Sequence, residues 1–136
     1  MTVTDADRLE EMRRRYLADH VRTASPGQRL LMLFDRLLHD LHSAERAFVE
    51  MDRKAINDDL VHAQQILFAL RDPLDLTTEI GRNLGGLYDY CLTRLLTANL
   101  EKDVSLLAEC VEILEQIRDA NRRVVDSAGL EVTVAG

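Results

Sequence analysis

The chain has 136 residues, 46% hydrophobic but only 4% aromatic, with no Trp and a formal net charge of −7. That length fits one domain with a core of Leu, Ile, Val and Ala. The acidic balance excludes non-specific nucleic-acid binding, no apolar run reaches the ~20 residues of a membrane span, and two cysteines without a CxxC provide neither a disulfide framework nor a zinc ribbon. The opening MTVTDADRLEEM is polar and acidic, which does not read as a secretory signal. Together these features point to a soluble cytoplasmic protein without membrane insertion.

Residues 1–24 form a leader in which Leu9, Met12, Tyr16 and Leu17 suggest one or two amphipathic turns. So short a piece has little helical stability alone and would hold only by docking. Ser25-Pro26-Gly27-Gln28 is a helix start: Ser25 can cap free amides, Pro26 suits the first helical position, and Gln28 completes a capping box. From there Leu30, Phe34, Leu37, Leu41, Ala44 and Phe48 step four, three, four, three, four, which predicts a first long helix from Pro26 to about Met51.

A break at 51–54 precedes a second helix carrying Ile56, Leu60, Ala63, Leu67 and Leu70, with Val61 and Ile66 off that line. Pro73 ends it. Asp75, Thr77 or Thr78 can cap the third helix, whose stripe is Leu84, Tyr88, Cys91, Leu95 and Ala98. In that helix Tyr88 and Tyr90 point to different sides: one serves the core and the other is left for the surface, where an aromatic ring is a binding tool. Gly85-Gly86 in mid-helix costs roughly 1 kcal/mol each against Ala, and marks either a close approach or a bare surface. After a break at 99–103 the fourth helix carries Val104, Leu107, Val111, Leu114 and Ile117 to about Asp126, with a frayed tail over 127–136. Short connections between four such stripes predict an all-α, antiparallel up-down four-helix bundle over 25–126, with the leader as a short N-terminal capping segment.

Bundles can hold metals through Glu-x-x-His pairs, and an enzymatic or metal-binding bundle is the competing reading. No Glu-x-x-His occurs, His39 and His42 sit at the polar flank of the first stripe, and the histidines, His62 included, read as surface residues. No nucleotide loop or hydrolase triad is placed by the spacing, so neither catalytic, metal nor cofactor residues are expected. Cys91 and Cys110 fall at about the same level of a hairpin between the third and fourth helices. A disulfide there is conceivable, but buried thiols are the expectation in a reducing cytosol.

Several pieces occur in one order: Tyr16 followed by Val21-x-Thr23-Ala24-Ser25-Pro26, then Ile56-Asn57, Leu60 and Ala63-Gln64, then Asn83-Leu84-x-x-Leu87-Tyr88-Asp89-Tyr90 and Leu95-x-x-Ala98-Asn99. This pattern, over residues 16–126, resembles the FliS family of flagellar secretion chaperones. It departs from the family in having Asn121, where a Trp is usual, after Arg118-Asp119-Ala120, and in a 76–79 loop without paired glycines. The resemblance implies a non-catalytic cytoplasmic chaperone that binds the C-terminal segment of unpolymerised flagellin, prevents premature polymerisation and assists delivery to the flagellar type III export apparatus. Apolar residues off the stripes, Val61, Ile66, Leu87 and Tyr90, are then candidate groove residues. Ile56, Leu60, Gln64 and Asn83 join them by the resemblance, and Tyr16 is the expected anchor of a leader that covers the groove.

Overall fold

The computed structural model describes the backbone of residues 5–135, with side chains described for 5–15 and 24–128. The described residues form five α-helices: α1 Asp5–Thr23, α2 Pro26–Val49, α3 Arg53–Arg71, α4 Glu79–Glu101 and α5 Leu107–Ala135, the last preceded by a 3-10 turn at Val104–Leu106. The all-α bundle expected from the periodicity is what forms.

Local chemistry sets the helix ends. Ser25 Oγ accepts from the Gln28 amide at 3.2 Å and Gln28 Oε1 accepts from the Ser25 amide at 3.0 Å, a reciprocal capping box. Asp52 accepts from the Ala55 amide at 3.1 Å to start α3. Of the three candidate caps for α4, Thr78 holds the position: its Oγ1 accepts from the Gly81 amide at 3.0 Å and donates to the Asp75 carbonyl at 2.8 Å. Two helix exits are made without glycine. Met51 and Lys102 take left-handed backbone angles, φ 54° and 52°, so that the amides of Asp52 and Asp103 reach back to Ala47 and Ala98, each at 3.0 Å.

Two boundaries differ from the sequence reading. The leader is one continuous 19-residue helix, aided by Asp5 and Asp7 in its first turn and by an Arg15–Glu11 pair at 3.3 Å. Helix α5 runs past Asp126 to Ala135, because residues 107–135 contain no proline and only one glycine, Gly129. A lone interior glycine weakens a helix without ending it.

Helix α2 packs on α3 and α5, and α4 packs on the same two. The side-chain pairs between helices give the chain directions. Asn57 with Asn99 and Arg71 with Asp89 oppose α3 to α4. Asp35 with Arg118 and Arg122, and His42 with Glu115, oppose α2 to α5. Between these helices lies a continuous apolar core that includes Phe34, Leu37, Leu41, Ile56, Leu60, Leu67, Leu95, Leu107 and Leu114, all fully buried. Burial of each such side chain contributes about 1.5–3 kcal/mol. The core has a single close aromatic pair among the described residues, Phe34 and Tyr88, with ring centroids 6.4 Å apart.

Asp40 is the one buried charged residue among those described. Its carboxylate meets Nδ1 of His62 and lies 3.4 Å from Nε of Arg36. His62, read from the sequence as a surface histidine, is thus also the α3 partner of a buried acid. A buried charge without such partners would carry its full desolvation cost.

Burial also acts on Tyr88, pushing its phenol from the ordinary 10.0 up to about 12, with the neighbouring Cys91 adding to the effect. The folded value lies above the unfolded one, so this residue's stabilising contribution is complete below pH 10 and is lost as pH rises through about 12. Urea unfolding at stepped pH should show stability falling across that interval. In Tyr88→Phe, which keeps the ring and removes the proton, the fall should be shallower. Equal slopes would mean that Tyr88 is not held neutral in the core.

The glycines of α4 divide by environment. A Cβ on Gly81 would stand 1.9 Å from the Asp75 carbonyl oxygen, so the turn folds onto this residue and requires it. On Gly85 a Cβ would press Leu76 at 3.3 Å, whereas on Gly86 it would meet nothing within 4 Å. Gly81→Ala should therefore destabilise by about 1–3 kcal/mol through overpacking. Gly86→Ala should stabilise by about 0.5–1 kcal/mol through helix propensity. Denaturant midpoints of the two variants on opposite sides of wild type are the expected result.

Candidate functional site

Two rows of residues flank the inward stripes of α3 and α4 and meet along a seam. On α3 the row is Asn57, Val61, Gln64, Phe68 and Arg71, at steps of four, three, four, three. On α4 it is Gly85, Asp89, Leu92, Leu96 and Asn99. The seam is clasped at both ends. Asn99 Nδ2 donates to Asn57 Oδ1 at 2.9 Å at one end, and Arg71 forms a two-pronged pair with Asp89 at 2.5 and 3.2 Å at the other. The Asp89 carboxylate in turn raises the Arg71 pKa, first by the hydrogen bond and then by its charge.

Between the clasps the rows hold no charged residue, although 30% of the chain is charged. Phe68 and Leu96 are about half exposed, at 52% and 50%, Val61 is exposed at 37%, and Leu92 is half-buried. Gln64 sits in the middle of the α3 row with its Nε2 buried and without an acceptor. Lone exposed apolar residues are ordinary on a surface; a neutral apolar strip bordered by polar clasps marks a surface that another chain can cover. An unmet amide donor inside the strip favours an occupant that brings a carbonyl or other acceptor.

The structure separates the residues read as groove from the sequence. Val61 and Gln64 lie in the α3–α4 seam. Ile56 and Leu60 are fully buried and Ile66 is 6% exposed, so these three are core and do not line a surface groove. Ile66 lies off the main stripe by periodicity, yet α2 covers that side of α3 and the buried face is wider than one stripe. It is therefore unsuited to test binding apart from folding. Leu87 and Tyr90 are exposed, but on the side of α4 that faces α5, and the exposed Asn83 shares that side. There Tyr90 Oη donates to Glu109 Oε2 at 2.8 Å, Arg94 Nη2 approaches the same oxygen at 3.3 Å, and the Arg94 guanidinium lies 5.6 Å from the Tyr90 ring centroid. The side chain of Tyr16 lies outside those described.

Phe68, Leu92 and Leu96 are the seam residues that the sequence reading did not single out. Their signal was present. Phe68 repeats Val61 seven residues on, and Leu92 and Leu96 double the buried positions Cys91 and Leu95. Such doubling means a stripe broader than the core needs.

Among the described residues no group of His, Cys, Asp and Glu is arranged to hold a metal ion, and no helix is long and apolar enough to cross a membrane.

The family model for flagellar protein FliS matches residues 9–128. The chain belongs to the FliS family. It is 33% identical over 112 residues to the flagellar secretion chaperone FliS of Bacillus subtilis (strain 168), covering 82% of this chain and 84% of that one. It is 34% identical over 114 residues to the protein of the same name from Salmonella typhimurium, with the same two shares of 82% and 84%. Against the Escherichia coli (strain K12) flagellar secretion chaperone FliS the identity is 36% over 103 residues, covering 74% and 76%. Within the FliS family, then, this member carries an uncharged apolar seam on the outer side of α3 and α4.

Proposed function

We propose that this protein is a cytoplasmic, non-catalytic export chaperone that binds the C-terminal segment of unpolymerised flagellin and hands it to the flagellar type III export apparatus. The observation that carries this reading is the uncharged strip between the Asn57–Asn99 and Arg71–Asp89 clasps, in a chain whose relatives are named flagellar secretion chaperones. A segment that packs only inside a filament presents an apolar face while free, and that face drives premature polymerisation. A preformed strip of apolar side chains covers it, and the segment folds as it binds. The ordering cost keeps such a complex reversible despite the large surface buried, which suits a cargo that must be released.

Binding by burial should depend on apolar seam residues more than on surface charge. Phe68→Asp and Leu96→Asp change exposed side chains, so circular dichroism should stay helical while affinity for flagellin falls by about tenfold or more, as loss of 1.5–3 kcal/mol implies. Deleting the C-terminal segment of flagellin should abolish the complex. Equal binding of intact and truncated flagellin would overturn the proposed client segment. Unchanged affinity in both variants would move the site off this seam.

The leader is proposed as a cover for the groove that yields to the client. Leu9 and Met12 stand exposed at 66% and 65%, an apolar face available for docking. A ligand that displaces a docked segment has its apparent affinity lowered by the closed fraction. Removing residues 1–18 should then leave flagellin affinity unchanged or tighter by titration calorimetry. Loss of binding with the bundle intact would make the leader part of the site.

A further inference from the structure

Cys91 on α4 and Cys110 on α5 take no part in the seam between α3 and α4. Both are free thiols with 0% exposure. Their neighbours fix their register. The Tyr90–Glu109 hydrogen bond of 2.8 Å joins the residues one position before each cysteine, across a hairpin whose helices are linked only by the short turn at 102–106. The two cysteines therefore stand at one level on the inner side of the α4–α5 seam, close enough for their thiols to hydrogen-bond. Cys110 Sγ donates to the Leu106 carbonyl at 3.7 Å. The hydrogen bond between the thiols, and then burial, hold Cys91 above the ordinary thiol range; the same bond draws Cys110 below it, helped by Arg94.

We propose that Cys91 and Cys110 form an oxidisable dithiol, which a hydroperoxide converts to an intramolecular disulfide that pins α4 to α5. Cys110 is the readier thiolate and attacks the peroxide. Its sulfur gains an S–O bond, the O–O bond breaks, and the departing hydroxide takes up the released proton as water. The Cys91 sulfur then attacks the resulting sulfenic acid. The S–S bond forms, the S–O bond breaks, and water leaves with the Cys91 proton. Two thiols are oxidised to one disulfide while one hydrogen peroxide is reduced to two waters. Because both sulfurs are shielded, opening of the α4–α5 hairpin sets the rate. The cross-link acts on α4, the helix that also supplies one wall of the seam with α3.

The test is peroxide treatment of the full-length chain, quenched by alkylation under denaturing conditions and read by intact mass. The expected product is a monomer lighter by two hydrogens with neither cysteine alkylated, and dithiothreitol should restore both alkylation sites. Cys91→Ser and Cys110→Ser should each form no monomeric disulfide. Urea below the unfolding midpoint should accelerate oxidation of the wild type several-fold. Two alkylated cysteines after treatment, oxidation of wild type only to oxygen adducts, or cross-linking only between chains would each overturn the proposal.

Discussion

The constraint behind every other feature of this bundle is that four helices must each bury one stripe against two neighbours. Once Leu60, Leu67 and Leu95 point inward, the helical period decides where all the remaining side chains stand. Positions beside the stripe fall on the seams between helices, and positions opposite it face solvent. On α2 and α5 the outer seam is held by polar pairs, Asp35 with Arg118 and Arg122, and His42 with Glu115. On α3 and α4 the equivalent positions hold Val61, Gln64, Phe68, Leu92 and Leu96. The two seams obey the same geometry and differ only in chemistry, so the apolar one is not explained by the needs of the fold. A bundle that required only stability would carry polar residues there, as it does on the opposite side.

The polar clasps make sense in the same terms. Exposed ion pairs contribute at most about 1 kcal/mol, so Arg71–Asp89 is a poor source of stability. It is a good register mark, because its two-pronged geometry is met at one alignment of α3 on α4. Asn57–Asn99 does the same at the other end without charge. Between these marks the spacing of Val61, Phe68, Leu92 and Leu96 is fixed, which gives the strip a definite shape before anything binds. Preorganisation of that kind lowers the cost of association. The Asp40–His62 contact differs in kind, since Asp40 is buried and its carboxyl oxygens find their polar partners in His62 and Arg36.

Much of this was legible in the sequence, and what was not has physical causes. The stripes gave the helices and most of the core, since a period of 3.6 over more than twenty residues admits few readings. The capping box at Ser25 was visible because its residue types have one common use. The helix exits at Met51 and Lys102 were invisible in type, because left-handed geometry there is adopted by residues that do not favour it. Gly81 was missed for the opposite reason: its role depends on where the Asp75 carbonyl folds back, a tertiary fact. Val61 lies off the α3 stripe on the side of α4 and Ile66 off it on the buried side of α2, and the sequence does not say which flank of α3 is covered. Leu87 and Tyr90 lie off their stripe as Val61 does, but on the side of α4 that faces α5.

An exposed apolar strip is a hazard to the protein that carries it, since two copies could bury their strips on each other. Two properties of this chain oppose that outcome. A net charge of −7 makes copies repel at distances within a Debye length, about 8–10 Å at physiological salt. The strip itself is the seam between two helices, a shape that accepts a ridge of side chains better than it accepts another seam. A single amphipathic helix presents such a ridge, and a second copy of this bundle presents at the same place only the groove. Charge and the shape of a helix seam thus both oppose self-association. The one specific polar demand within the strip is the unmet Gln64 amide, and it can be answered by a main-chain carbonyl that any partly unwound helix exposes. On the function proposed above, an apolar helical segment with a break would answer both the shape of the seam and that amide.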